Sequence, residues 1–335
     1  MTKSIRWNNT QPLVSVVTPV YNGEDYLAEC IESVLSQTYS NFEYIIVENC
    51  CTDRSLEIAT SYAQQDERIK IVRNERLLDQ ISNHNHALRN ISPRSVYCKI
   101  VAADDRILPK CLEAMLDVAE SAENIGVVGA YTLLDWGNRT SVYLTGLPYQ
   151  DVVFSGNDIC RRFFIDGLYV FGPPTATLIR SEIIRRSDPF YHEDSVTEDV
   201  DIFFEILPSY DFGFVHEILT YTRRSNESTI SSIRDGLMEL TRLVEIKKYG
   251  KQFLDDNEYT KYFRRARKNY LSVIGYSVLK LKKKKFWEFH KQGMLFCGLN
   301  LGPRELITGT VYAMTDLIFN PKNTLTQLMY RFFRS

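Results

Sequence analysis

The sequence lacks a long apolar run, a set of paired cysteines and a glycine-rich phosphate loop. The longest apolar stretch, Leu306–Phe319, is interrupted by Asp316, Thr308 and Thr310, so it falls short of the roughly 20 apolar residues of a membrane-spanning helix. Seven cysteines are scattered without metal-site spacing, and only Cys50 and Cys51 are adjacent, which is typical of free thiols in a reducing compartment. The N-terminal residues contain no apolar core of a secretory signal, so we expect a cytoplasmic protein.

Charge divides the sequence into two parts of opposite sign. The chain has 335 residues, of which 44% are hydrophobic and 24% charged, enough for a substantial core and too apolar for intrinsic disorder. Residues 1–235 carry 21 basic and 34 acidic side chains, whereas residues 236–335 carry 19 basic and 8 acidic ones. The net charges are therefore -13 and +11. We predict an acidic domain over 1–235 and a basic helical region over 236–335.

The acidic part alternates short apolar runs with helical patterns. Runs of this kind, fully apolar and separated by helices, predict an α/β fold with a mostly parallel central sheet that is covered on both faces. The predicted strands are 13–18, 44–47, 69–72, 97–101 and 126–131, and the predicted helices are 27–35, 55–65, 81–91 and one after Pro109.

Polar loops follow three of these predicted strands. They are residues 18–25 (TPVYNGED), 48–53 (ENCCTD) and 102–105 (AADD). Because parallel strands end at the same edge of a sheet, and ligands bind in the crevice at that edge, the three loops predict one binding site.

The N-terminal segment resembles the opening of the family 2 glycosyltransferases, which are inverting enzymes with the GT-A fold. The usual pattern is a strand ending in P-x-Y-N, an S-x-x-x-Q-T segment and an acidic loop, and the resemblance extends over about residues 11–230. It implies a GT-A (nucleotide-diphospho-sugar transferase) catalytic domain over 1–235. The positions that fit the pattern are Ser33, Gln37, Thr38, Asn49, Thr52 and Asp53, with Glu48 where the family usually has Asp.

The resemblance implies a donor site for a nucleoside-diphosphate sugar, with UDP as the expected nucleotide. Tyr21 and Glu48 would hold the base, although a packing aromatic and a solvated loop carboxylate are the open alternatives. Asp53 fits a helix cap better than a ligand contact. The segment NHNHAL (83–88) resembles a donor-side segment of one branch of the family, and capping or turn roles for its asparagines remain open. The implied donor-binding residues are Thr18, Pro19, Tyr21, Glu48, Asn83 and Asp104, with Asn85 beside them.

A divalent cation is implied at the end of the fourth strand. Adjacent carboxylates at a strand end, Asp104 and Asp105, are costly unless a cation or water offsets their repulsion. Asp104 matches the metal ligand of the family's D-x-D motif, and Ala102 replaces the first aspartate. One carboxylate suffices for Mn2+ or Mg2+ when donor phosphates and water complete the coordination shell. Asp105 is expected to fix the loop.

The segment SVTEDVDIFFEIL (195–207) matches the family's acidic motif ahead of a helix. Inverting transfer needs a base that removes the proton from the acceptor hydroxyl. Asp199 aligns best with that base, Glu198 is the alternate, and Asp201 would support it. Acidic residues also favour the first turn of any helix, which is the structural alternative.

Two further segments resemble parts of the family site. Gly172, Pro173 and Pro174 would form the floor under the acceptor, and a plain turn is the alternative. Ser225 stands where many members carry a histidine near the metal, so a second protein ligand is not implied. Arg223 is a candidate for pairing with the donor phosphates.

The basic region has no motif that indicates chemistry. Its helices carry apolar faces beside abundant Lys and Arg, including the run Lys282–Lys285 next to Phe286 and Trp287. Packing onto the catalytic domain, packing against a second subunit in a homo-oligomer, and attachment to the anionic inner face of a membrane all remain open. Nucleic acid is not an expected partner, because the acidic half argues against it.

The sequence therefore predicts metal-dependent, inverting transfer of a sugar to a glycan or lipid-linked acceptor, as in polysaccharide biosynthesis. A nucleotidyltransferase of similar fold is the first alternative, although the loop TPVYNGED lacks the glycine- and Arg/Lys-rich character of such enzymes. A catalytically silent glycan-binding or scaffold protein is the second, made plausible by Ala102 and Ser225.

Overall fold

The computed structural model describes residues 11–143, 146–192, 197–224 and 236–320. The strands are β1 (Val14–Val20), β2 (Phe42–Glu48), β3 (Ile69–Arg73), β4 (Tyr97–Ile100), β5 (Arg106–Ile107), β6 (Ile125–Asp135), β7 (Thr140–Tyr143), β8 (Val153–Phe154), β9 (Thr177–Arg180) and β10 (Asp211–Arg223). The helices are α1 (Leu27–Leu35), α2 (Ser55–Ala63), α3 (Gln80–Arg89), α4 (Cys111–Ala119), α5 (Gly156–Asp166), α6 (Ser181–Arg186), α7 (Glu198–Ile206), α8 (Leu237–Phe253), α9 (Asp256–Leu279), α10 (Lys284–Phe296) and α11 (Pro303–Phe319).

One ten-stranded mixed sheet forms the core of the first unit. Its order is β3-β2-β1-β4-β9-β6-β10-β5, with β7 paired to β6 and β8 paired to β10. The first four strands of this order are mutually parallel, as the alternating pattern predicts. The α/β fold with a central sheet and a helical C-terminal region is therefore confirmed.

Proline is tolerated inside β1 because of where the neighbouring strand ends. All seven residues of β1 are buried, and β2 pairs along its whole length. On the other side, β4 pairs only with Val14 to Val17. Pro19 lies beyond the end of β4. Proline has no backbone N–H, but at this position no carbonyl of β4 needs that N–H as a hydrogen-bond donor.

Parallel register brings the ends of β1, β2 and β3 together. Val20 lies opposite Glu48, and Glu48 lies opposite Arg73. Tyr21 follows Val20 directly, so the predicted donor residues Tyr21 and Glu48 share one sheet edge. The loop 102–105 follows β4 at the same edge.

The second half of the sheet contains an antiparallel strand that the apolar pattern does not reveal. β9 runs antiparallel to both β4 and β6. β4 and β6 run in the same direction and end at the ligand edge, whereas β9 runs in the opposite direction and begins there. The residues before β9 therefore lie at the ligand edge. A short 3₁₀ turn, Pro174–Ala176, connects the segment 172–173 to β9. This reversal places the GPP segment beside the loop 102–105.

Helices α8 to α11 belong to a second compact unit of the chain. Its apolar core contains Leu240, Leu243, Tyr270, Leu271 and Ile274 from α8 and α9. The start of α9 is fixed by a capping box between Asp255 and Glu258. None of the described helices is both long and apolar enough to cross a membrane.

Candidate active site

The nucleoside side of the site is formed by Tyr21 and Glu48 at the ends of β1 and β2. The Tyr21 side chain is 50% exposed, whereas Glu48 is 1% exposed. Glu48 Oε1 accepts a hydrogen bond from the Cys51 N–H, and Oε2 accepts one from Arg73 Nε at 3.2 Å. Glu48 is therefore a buried, paired carboxylate rather than a solvated one, and its charge is offset by Arg73.

Two loops at this edge are held together by side-chain bonds. The Asn22 side chain accepts from the Thr52 N–H at 2.8 Å and donates to the Thr52 hydroxyl at 3.2 Å. Asp53 accepts the Ser55 N–H at the start of α2 and the Glu24 N–H, both at 3.0 Å. Arg54 is the N-cap of α2, and Asp53 precedes it and ties the start of α2 to the loop after β1.

The Thr18 side chain does not reach the edge. It is fully buried, and its hydroxyl lies 3.0 Å from the Tyr44 hydroxyl inside the core. Only the two residues that follow it along the chain lie at the carboxyl end of β1. Pro19, in contrast, lies opposite Val47, one position before the Glu48 that faces Val20.

Helix α3 connects the donor edge to the acidic motif. Asn83 is buried, and its Oδ1 accepts from Asn74 Nδ2 at 2.9 Å. Asn74 Nδ2 also donates to Asn49 Oδ1 at 2.8 Å. Asn74 Oδ1 is buried with no hydrogen-bond partner among the residues that the structure describes. An unpaired buried acceptor at this position would take a ligand donor or a water.

The next residues of α3 reach the other side of the site. Asn85 Oδ1 accepts from the Tyr191 N–H and its Nδ2 donates to the Tyr191 carbonyl, both at 2.8 Å. This buried side chain clamps the chain before the acidic motif, so it has a structural role of the kind that the sequence left open. The His84 ring lies edge-on to the Tyr191 ring at 6.1 Å.

His84 is a site residue to which sequence reasoning assigned no role. Its Nδ1 lies 2.8 Å from the Gln80 carbonyl, which fixes the ring. Burial lowers the pKa of His84, and the Gln80 carbonyl and the Asp199 carboxylate oppose that change. The Asp199 charge therefore acts directly on His84. The one sequence signal for His84 was its position between Asn83 and Asn85, whose side chains contact the site.

The acidic motif lies at the start of α7. Asp199 is half-buried, whereas Asp201 is fully buried. Glu198 is the first residue of α7, and its side chain lies outside the described part of the chain. Successive helical side chains point about 100° apart, so Asp199 and Asp201 face different directions.

Asp105 is the centre of a buried hydrogen-bond network. Its Oδ2 accepts from the Thr175 hydroxyl at 2.6 Å and from the Thr222 hydroxyl at 3.1 Å, and its Oδ1 accepts the Arg223 N–H at 3.1 Å. Burial raises the pKa of Asp105 to about 6, and the charge of Asp104 adds to this effect. Asp105 thus fixes the loop, as the sequence indicates.

A buried lysine supports the same network from the core. Lys99 is fully buried in β4, and its ammonium group donates to the carbonyls of Thr175 and Thr177. Burial lowers the pKa of Lys99, and the Asp105 charge is among the groups that oppose this. The cation and the carboxylate therefore hold the turn after Gly172-Pro173-Pro174 against the loop 102–105.

Asp104 is the carboxylate at this edge that a cation could use. It is half-buried, and its carbonyl accepts from Arg223 Nε at 3.3 Å. Both oxygens of its neighbour Asp105 accept hydrogen bonds from protein donors in a buried network. Within the described ranges, no group of three His, Cys, Asp or Glu side chains could hold a metal ion. The residues fit a cation only if donor phosphates and water supply the other ligands.

Arg223 is paired within the protein. Its Nη2 lies 2.9 Å from Glu29 Oε2, and its guanidinium lies over the Tyr26 ring at 4.3 Å. Arg106 also contacts Glu29 and stacks on Tyr221 at 3.9 Å. A donor phosphate would therefore compete with Glu29 for the guanidinium of Arg223.

We expect Thr175→Val to destabilise the protein by about 2 kcal/mol, because Asp105 loses a buried donor and the Ala102 N–H loses its 3.1 Å acceptor. Thr177→Val is the matched control, since among the described residues this buried hydroxyl donates to the Pro174 carbonyl at 3.2 Å and not to Asp105. Urea unfolding of both variants measures the difference. Equal losses would contradict a special role for the Asp105 network.

The fold is similar to that of solved proteins, among them a mannosyltransferase. Staphylococcus aureus TarS 1–349, solved in complex with UDP-GlcNAc, has a TM-score of 0.59 and 14% identity, with 91% of each chain covered. The mannosyltransferase PcManGT from Pyrobaculum calidifontis, solved with GDP-Man and Mn2+, has a TM-score of 0.54 and 12% identity, with 92% and 88% covered. At this identity the likeness establishes the fold, which is that of the GT-A glycosyltransferases.

Sequence comparison makes the assignment to a family. The model of "Glycosyl transferase family 2" matches residues 15–187. The uncharacterized glycosyltransferase MJ1057 of Methanocaldococcus jannaschii is 31% identical over 228 residues, 66% of this chain and 74% of that protein. Glycosyltransferase GlyG of Streptococcus pneumoniae is 30% identical over 175 residues, 51% of this chain and 58% of GlyG. The chain belongs to glycosyl transferase family 2, which classes it as a glycosyltransferase.

Proposed function

We propose that this protein transfers a sugar from a UDP-linked donor to a hydroxyl of a glycan or lipid-linked acceptor, with inversion at the anomeric carbon. The single observation that carries the proposal is the meeting of three loop ends at one sheet edge. Tyr21 and Glu48 lie where a nucleoside would bind, and Asp104 lies at the end of β4, where a pyrophosphate would follow. The TarS complex with UDP-GlcNAc supports the nucleotide.

The chain's own residues would orient the donor. The half-exposed Tyr21 ring offers an aromatic face to a base. Glu48 supplies carboxylate oxygens that can accept from a base N–H, with Arg73 holding the carboxylate in place. Asn74 Oδ1 is an additional buried acceptor at the same edge. Together these groups favour a ligand that presents N–H or O–H donors, as a nucleoside does.

Asp104 would hold a divalent cation, which would stabilise the negative charge that builds on the leaving nucleoside diphosphate. The PcManGT complex with GDP-Man and Mn2+ supports this assignment. The network of Lys99, Thr175 and Asp105 would position Asp104, because it fixes both the loop after β4 and the segment that faces it.

Asp199 would accept the proton of the acceptor hydroxyl. Its charge raises the pKa of His84, whose ring is held by the Gln80 carbonyl. Gly172, Pro173 and Pro174 border the Asp105 network and would form the floor beneath the acceptor. Gly172 has a φ of 67°, and a β-carbon there would lie 2.8 Å from the Ala176 side chain, so only glycine suits this turn.

The proposal is tested by screening nucleotide sugars for thermal stabilisation, with and without Mn2+, and then for hydrolysis and transfer. We expect UDP sugars to raise the melting temperature more than GDP sugars, and more with Mn2+ than without it. NMR of the product should show the opposite anomeric configuration to the donor. A retained configuration would contradict the inverting mechanism.

The remaining alternatives give different results in the same screen. A nucleotidyltransferase would release pyrophosphate from a nucleoside triphosphate and a sugar phosphate, although family membership does not favour it. A silent glycan-binding protein would hydrolyse no donor at all, with or without the metal. Either result would overturn the proposed transfer.

A further inference from the structure

The helical unit carries an exposed apolar and basic surface at one end. Helix α9 ends at Leu279, and the loop to α10 contains Lys280, Leu281 and Lys282. Leu281 is 88% exposed and Leu279 is 48% exposed. Two leucines thus face solvent within a run of lysines.

The end of α11 lies beside this loop, because α9 and α11 pack in parallel. Near the beginning of the pair, Arg267 Nη2 lies 3.4 Å from Glu305 Oε1. Near the end, the Tyr276 hydroxyl donates to Asp316 Oδ2 at 2.7 Å. Tyr276 and Asp316 are each three residues from the end of their helix, so both helices end at the same level.

The last residues of α11 add to the exposed apolar surface. Ile318 is 67% exposed and Phe319 is 83% exposed. We call residues 279–285 together with Ile318 and Phe319 the basic tip. It combines four large apolar side chains with five lysines, and no acidic residue occurs in either segment.

The fold itself does not favour these residue types. Leu281 has a φ of 51°, in the left-handed region that bulky side chains rarely adopt, and its side chain packs against little. Lys283 is the N-cap of α10, and Lys284 and Lys285 are its first two residues. Lys284 pairs with Glu288 one turn on at 3.4 Å, but both groups are exposed, and cations at a helix N-terminus oppose the helix dipole. An anionic partner would offset that repulsion.

We infer that the basic tip binds an anionic lipid bilayer, with its leucines and Phe319 in the interfacial region and its lysines at the headgroups. Apolar side chains alone would fit a protein partner as well. The dense surrounding lysines instead match a surface of closely spaced negative charge, and interfacial anchors combine these two features. This inference stands apart from the proposed transfer, since it needs no catalytic residue.

The test is co-sedimentation of the full chain with vesicles at about 0.1 M salt, where exposed charges are only partly screened. Vesicles of phosphatidylcholine with about one third phosphatidylglycerol should bind the protein at least about tenfold more tightly than pure phosphatidylcholine. Binding that is equal for the two vesicle types, or absent from both, would overturn the inference.

Charge reversal provides the first matched pair of variants. Lys283→Glu with Lys285→Glu should lower binding to the anionic vesicles by about tenfold or more, since each lysine near such a surface contributes roughly fivefold. Arg264→Glu with Arg265→Glu makes the same change in net charge on the first half of α9, and it should lower binding by less than about threefold. The melting temperature of the tip variant should not fall, because acids suit the start of α10. Equal losses of binding for the two pairs of variants would show that only net charge matters, and would refute the assignment of membrane binding to the basic tip.

Apolar substitution provides the second pair. Leu281→Ser with Phe319→Ser should lower vesicle binding by about tenfold, because interfacial burial of both side chains is lost. Ile307→Ser with Val311→Ser removes exposed apolar surface about three and two turns earlier on α11, and it should have a much smaller effect. If the tip instead joins two copies of the chain, the wild type will be a dimer by light scattering, and Leu281→Ser with Phe319→Ser will be a monomer. That outcome would also refute the membrane assignment.

Discussion

Asp104→Asn is expected to lower the transfer rate by about three orders of magnitude and to remove the added stabilisation that UDP gains from Mn2+. Asparagine keeps the size of the side chain but loses the charge that binds a divalent cation. A bound cation stabilises the leaving group by several kcal/mol, and each 1.4 kcal/mol corresponds to about a tenfold change in rate. Turnover measured with a coupled assay for UDP, together with thermal melts across a Mn2+ titration, tests both effects.

Asp25→Asn is the matched control for Asp104→Asn. It removes one negative charge from an exposed position in the loop between β1 and α1, near the same edge of the sheet. We expect it to change turnover by less than about threefold, because exposed charges in the loop are screened. If Asp104→Asn kept the wild-type response to Mn2+, the metal would have to bind elsewhere.

Asp199→Asn is expected to lower the transfer rate by about 10² to 10⁴-fold, while UDP still stabilises the protein as in the wild type. Asparagine cannot accept the proton of the acceptor hydroxyl, but it leaves the donor edge at β1 and β2 unchanged. Glu198→Gln separates the two candidate bases, because a larger loss there would assign the base to Glu198. Steady-state transfer and thermal melts with UDP measure the two properties separately.

Asp199→Asn should also change the NMR titration of His84. The Asp199 carboxylate raises the pKa of His84 against the lowering caused by burial, so the pKa of His84 should fall further in Asp199→Asn. NMR titration of the imidazole resonances measures it. Glu205 lies on the same helix as Asp199, and its carboxylate pairs with His192. Glu205→Gln should therefore leave the pKa of His84 unchanged. If the pKa of His84 were the same in Asp199→Asn as in the wild type, the two side chains would have to be farther apart in solution than they are in the structure.

The first half of the sheet was predictable, because its strands are buried on both faces. Short, largely apolar runs such as 13–18 and 44–47 are typical of strands in a sheet covered on both faces, and the helices between them indicate parallel crossovers. β9 was not predictable in this way. It has four residues, and no local pattern distinguishes a parallel strand from an antiparallel one of that length.

Polar partners in the site were harder to predict than the site itself. The family pattern indicated Glu48 and Arg223 as ligand-facing groups, but each is paired within the protein, with Arg73 and Glu29 respectively. Their partners are 25 and 194 residues away in the sequence, and no spacing rule links side chains over such separations. His84 was missed for the same reason, since the effect of the Asp199 charge on its pKa exists only after folding.

The sequence by itself determined the order of the elements in the first half of the sheet, the sheet edge at which the polar loops meet and the family to which the chain belongs. These depend on hydrophobic periodicity and on short motifs, which are local properties. Only the tertiary structure decided which side chains pair with each carboxylate. Asp105, which follows Asp104 directly in the chain, accepts the Thr175 and Thr222 hydroxyls and the Arg223 N–H. Burial and hydrogen bonding depend on residues that are distant in sequence, and folding alone brings those residues together.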